Sequence, residues 1–77
     1  MQDNEERIVL DPAILSGKPI VRGTRISVAH VVGLLAQGWD QASILEQHPT
    51  LRQDDIGACL AYAHMLLESE RVFPSAA

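Results

Sequence analysis

Between Ser27 and Glu68 apolar residues recur at helical spacing, and the pattern breaks only at Gly38 and around Pro49. A chain punctuated in this way buries its apolar side as short helices packed on one another. Ser27, preceded by the apolar Ile26, is a good N-cap, and Val28, Val31, Val32 and Leu35 follow at i, i+3, i+4 and i+7 on one helix face. Gly38 ends this helix as a left-handed C′ residue. Asp40 caps a second helix over Gln41–Gln47 whose apolar face is Ile44 and Leu45, and Pro49 disfavours helix at His48. A third helix is expected from about Gln53 to Glu68. Its stripe is Ile56, Cys59, Leu60, Ala63 and Leu67, and Asp54 and Asp55 suit its positive N-terminal end. Three helices with short loops match the helix-turn-helix pattern. The expected core is Val28, Val31, Val32, Leu35, Ile44, Leu45, Leu51, Ile56, Leu60 and Ala63. On that phase Leu60→Ala costs about 2–5 kcal/mol.

Ahead of the helices, Ile8-Val9-Leu10 is a short β-prone run stopped by Asp11-Pro12. Ala13-Ile14-Leu15 fits one helical turn, and Ser16-Gly17-Lys18-Pro19 reads as a turn. Pro19-Ile20-Val21-Arg22 reads as a second strand, followed by a turn at Gly23-Thr24. The fold class is therefore mainly α, a short N-terminal β element followed by a three-helix unit. Residues 1–7 form a polar tail, 8–70 the single domain and 71–77 a second tail.

The size of the chain, 77 residues, limits the net stability its core supplies to a few kcal/mol. Cys59 is the one cysteine, so no internal disulfide adds to it, and no Cys/His cluster has zinc spacing. Extra support is expected from oligomerisation or a partner chain; the N-terminal strands, too short to stand alone, pack on the helices or pair across a dimer, and a homodimer with these strands in its interface is expected. No apolar run approaches the roughly 20 residues of a membrane span. The acidic N-terminus lacks the character of a signal peptide, which with a lone cysteine fits a reducing cytoplasm.

Charge divides the molecule. The net charge is −4, unfavourable for gripping phosphates. Arg7, Lys18, Arg22 and Arg25 lie in the first third, with only Arg52 and Arg71 beyond, while Asp40, Glu46, Asp54, Asp55, Glu68 and Glu70 make the helical part acidic. If any surface binds an anion, it is the N-terminal element. A recognition helix needs Arg, Lys, Asn or Gln near its start, whereas the third helix offers Gln53, Asp54, Asp55, Ile56, Gly57 and Ala58. Direct base readout is not expected, and weak or indirect DNA contact would run through Lys18, Arg22 and Arg25.

No reactive constellation is present. Gly17-Lys18 is not a phosphate loop, because Pro19 stands where Ser or Thr is required and the upstream glycine is missing. His30, His48 and His64 fall on different helices and read as surface or rim residues. Cys59 lies on an apolar stripe and reads as packing, Asp54-Asp55 as cap and dipole groups, and Trp39 as a core or interface anchor. No catalytic residue, cofactor site or metal-ligand set is expected.

The run Ile8-Val9-Leu10-Asp11-Pro12, then Ser16-Gly17-Lys18-Pro19-Ile20-Val21-Arg22-Gly23-Thr24-Arg25-Ile26-Ser27-Val28, is distinctive. With Ala36-Gln37-Gly38-Trp39, Ile44 to Leu51 and Asp54-Asp55-Ile56 it closely resembles the domain of unknown function 433 family, from Ile8 to about Leu67. The resemblance implies a homeodomain-like, helix-turn-helix relative with a small N-terminal β element. Where the family usually has Thr or Ser before the acidic pair, this chain has Arg52, which weakens the capping box. The resemblance also implies an antitoxin-like protein that binds and neutralises a PIN-like nuclease toxin. Such a nuclease gathers carboxylates around a divalent metal, and a partner's arginine forms bidentate pairs with them. Lys18, Arg22, Thr24 and Arg25 are the residues expected to bind a partner or nucleic acid. The structural alternative is that Gly23 serves the turn and Arg25 pairs with Asp11 or a helix C-terminus. The second functional reading is a stand-alone helix-turn-helix transcriptional regulator.

Overall fold

In a computed structural model, which describes residues 7–69, two short strands precede three helices. β1 (Ile8–Leu10) and β2 (Pro19–Val21) pair antiparallel, with Ile8 opposite Val21, Val9 opposite Ile20 and Leu10 opposite Pro19. The helices are α1 (Val28–Ala36), α2 (Gln41–Gln47) and α3 (Gln53–Ser69). The chain is thus mainly helical with an N-terminal two-stranded sheet, as its pattern requires.

The connection between the strands differs from a right-handed helical turn at residues 13–15. Asp11 Oδ1 accepts the Ala13 N–H at 2.9 Å, and the turn proper falls at Leu15–Gly17. Leu15, Ser16 and Gly17 all have positive φ, at 52°, 58° and 82°. Left-handed backbone at a leucine is strained, and only the glycine takes it without cost.

Local signals set the helix ends. The Ser27 hydroxyl accepts the His30 N–H at 2.9 Å, and Asp40 accepts the Ser43 N–H at 2.8 Å. That backbone bond holds the Asp40 carboxyl below its ordinary value. Its contribution to stability is therefore full above the ordinary carboxylate range and fades as pH falls through the lowered folded value. Gly38, at φ +100°, closes α1 with two backbone bonds, Trp39 N–H to Leu34 O at 3.1 Å and Gly38 N–H to Leu35 O at 3.0 Å. These are the two bonds of a Schellman cap, which returns Trp39 onto the helix end.

The core gathers Val21, Val28, Val31, Leu34, Ile44, Leu51, Ile56 and Cys59, with Val32, Leu35, Trp39, Leu45 and Tyr62 packed against it. Two expectations are corrected here. In α1 the buried row is Val28, Val31 and Leu34, while Val32 and Leu35 sit at its edge. Leu34 continues the three-residue spacing of Val28 and Val31 into the core. In α3 the buried residues are Asp55, Ile56, Ala58 and Cys59; Ala63 is half-buried, Leu60 is 42% exposed and Leu67 is exposed. The reason is rotation: at 3.6 residues per turn Asp55, Ile56, Ala58, Cys59, Tyr62 and Ala63 share one side of α3, and Leu60 falls on the other. Leu60 therefore leaves the core, and Leu60→Ala no longer carries a large cost.

An ion pair that the sequence does not announce ties the two ends of the domain. Arg7 donates to Asp55 Oδ1 at 2.9 Å and lies 3.4 Å from Asp54 Oδ2. Asp55 Oδ2 accepts the Arg52 N–H at 2.9 Å, the half of a capping box that needs no Ser or Thr. Asp54-Asp55 does serve the helix start, and Arg7 belongs to the packed body although residues 1–7 read as tail. The remaining tail expectations, 1–6 and 71–77, lie outside the described residues, as does residue 70 at the end of the expected domain.

Candidate functional site

The basic segment is built on β2. After Val21 the chain turns back on itself: the Thr24 N–H donates to Val21 O at 3.0 Å, and the Val21 N–H donates to Ile26 O at 2.9 Å. Ser27 then bridges to Ile20. Arg22 and Gly23 occupy the two central positions of a β-turn, and Gly23 supplies the positive φ, +81°, that the third position of a type II turn demands. A methyl group at Gly23 would meet nothing within 4 Å, so the glycine is required for its conformation alone. Gly23→Ala is expected to destabilise the domain by about 1–2 kcal/mol through left-handed strain, read as a lower urea midpoint at unchanged slope.

Thr24 fixes this turn from the side. Its hydroxyl donates to Val21 O at 2.8 Å and accepts the Ile26 N–H at 3.0 Å. Both of its hydrogen-bonding roles are therefore used within the loop, which makes Thr24 a positioning residue. Lys18, Arg22 and Arg25 are exposed. Arg25 makes no ion pair with Asp11 or any other described residue. The Arg22 N–H donates to Arg7 O at 2.7 Å, extending the hairpin by one rung. The turn thus holds two guanidinium-bearing residues at one end of the sheet, with Lys18 at the other end of β2.

Beside Lys18 an apolar groove runs between α1 and α3. Pro19, Val28, Val32, Tyr62, Ala63 and Leu66 line it. On α3, Leu60, Met65, Leu66 and Leu67 are between 42% and 69% exposed. Periodicity alone does not mark the exposure of Leu60 and Leu67, because both lie at core spacing on the third helix.

The remaining chemistry-bearing residues separate. Cys59 is fully buried, and burial together with the nearby Asp55 charge pushes its thiol up to about 11, so it is an inert packing group. His64 is exposed on α3. His30 and His48 are brought together across α1 and the end of α2, with Nε2 atoms 3.3 Å apart and rings at 84°. No spacing rule links residues so far apart in sequence, and sequence reasoning missed this pair. Among the described residues no cluster of three or more His, Cys, Asp or Glu side chains is placed to hold a metal ion. No helix among them is long and apolar enough to cross a membrane.

The fold and the basic turn coincide with a family pattern: residues 8–63 match the model described as Protein of unknown function (DUF433). The chain belongs to the DUF433 family. The matched span includes both strands, the basic turn, α1, α2 and most of α3. A crystal structure of a DUF433 member protein from Anabaena variabilis is similar at a TM-score of 0.76 and 29% identity, covering 80% of this chain and 61% of that one. An uncharacterised protein y4eO of Sinorhizobium fredii is 38% identical over 58 residues, which are 75% of this chain and 26% of that protein. This DUF433 domain thus spans about a quarter of the length of that curated relative.

Proposed function

We propose that this DUF433 chain is a non-enzymatic, cytoplasmic interaction protein of the antitoxin kind, which binds and neutralises a PIN-like nuclease. The observation that carries the reading is the rigid turn at Arg22–Arg25, which holds exposed basic residues beside an acidic helical body. A nuclease that assembles carboxylates around a divalent metal offers the anionic counterpart, and arginine is the side chain suited to bidentate carboxylate pairing. The groove beside Lys18 supplies what charge alone does not: apolar area that a partner helix can bury. A homodimer in which the N-terminal strands help form the interface fits the same account.

The alternative, a stand-alone DNA-reading regulator, has less support. The start of α3 would bring Asp54, 76% exposed, toward the phosphates, while Asp55 is occupied with Arg7 and Arg52. The test is co-expression with a PIN-like nuclease encoded in the adjacent reading frame. A stoichiometric complex and loss of nuclease activity are expected. An adjacent nuclease that neither co-purifies nor loses activity contradicts the reading.

A further inference from the structure

His30 lies in the first turn of α1, where Ser27 caps the backbone, and His48 sits at the C-terminal cap of α2. Their Nε2 atoms are 3.3 Å apart and their ring centroids 5.2 Å apart. Two imidazole nitrogens bound to one tetrahedral ion at about 2.0–2.1 Å stand about 3.3–3.4 Å from each other. Each ring centroid lies about 1.1 Å further along the metal–nitrogen line, so the centroids of such a chelate are about 5.2 Å apart. Both separations in the protein match. The near-perpendicular rings, at 84°, let two imidazoles approach one point without their edges colliding.

We propose that His30 and His48 form a two-histidine chelate for a divalent transition-metal ion of the class that prefers imidazole, such as zinc, nickel or copper. In the ion-free protein the two Nε2 atoms share a hydrogen bond at 3.3 Å. The ion takes its place, with both rings carrying their proton on Nδ1, binds between the two Nε2 lone pairs and, in tetrahedral coordination, leaves two positions for water or for a ligand from another molecule. His30 is exposed and His48 half-buried, so the ion reaches the pair from solvent. The chelate also links α1 to the end of α2, so a bound ion stabilises the folded arrangement by mass action. This site is separate from the basic turn and does not depend on the nuclease reading.

Zinc chloride titrated into the full chain near neutral pH tests the proposal, followed by imidazole proton resonances and by thermal unfolding. One zinc per chain is expected to move the His30 and His48 resonances together while His64 stays in place, and to raise the unfolding temperature. His30→Gln and His48→Gln, made separately, should each weaken zinc binding at least tenfold and abolish the rise. The variants' apo unfolding curves establish that they fold. Unchanged His30 and His48 resonances at millimolar zinc would overturn the chelate. So would zinc affinity that survives in either folded variant.

Discussion

Ile44→Ala is expected to leave the domain largely unfolded at room temperature. Ile44 has no exposed surface and sits in the core shared by all three helices. Its truncation removes three carbons and leaves a cavity that α2, with one buried side chain over Gln41–Gln47, cannot collapse to fill. Such changes cost about 2–5 kcal/mol. A domain of this size holds only about 3–5 kcal/mol from a single core, so the loss removes most of what keeps it folded. Far-UV circular dichroism with urea titration reads the effect. Leu60→Ala is the control on helix phase: with Leu60 42% exposed, its midpoint should move far less. Equal losses for the two variants would place the α3 phase wrongly.

Asp55→Ala is the second large loss, about 2–4 kcal/mol. Removing one partner of a buried ion pair costs about 3–5 kcal/mol because the other charge is left without compensation. The figure here is lower because the Arg7 side chain retains 19% exposure and has Asp54 at 3.4 Å to turn to. The same change also releases the Arg52 N–H at the start of α3. Arg7→Ala should cost less than Asp55→Ala, since Asp55 keeps its bond to the Arg52 backbone. The comparison is made from urea midpoints of the two variants at one pH. An Asp55→Ala midpoint indistinguishable from the parent would mean that the pair does not tie β1 to α3 in solution.

What the sequence makes legible divides by physical cause. The ends of the helices are local events: Ser27, Gly38, Asp40 and Pro49 act within a few residues, and α1 and α2 begin and end where those residues direct. The basic turn is legible for the same reason, since Gly23 and its neighbours close it by bonds spanning two to five residues. Helix phase is less local. Leu34 and Leu60 exchange their expected places because burial depends on how each helix is rotated about its axis against its neighbours. The Arg7–Asp55 pair and the His30–His48 pair are wholly non-local. Arg7 reads as part of a polar tail until the sheet carries it to the start of α3, and the histidines read as separate rim residues until α1 and α2 pack. Thr24 is a finer case: its presence beside two arginines marked it as a contact residue, whereas its hydroxyl is used to hold the turn that carries them.

The central claim is that the Arg22–Arg25 turn binds an acidic partner, and affinity measured beside stability tests it most directly. Arg22→Ala and Arg25→Ala, titrated calorimetrically against the PIN-like nuclease proposed as partner, should each lose about 2 kcal/mol or more of binding, a drop in affinity of about thirtyfold. Their unfolding temperatures should stay close to that of the parent chain. Full affinity in both variants, whatever their stability, would contradict the claim.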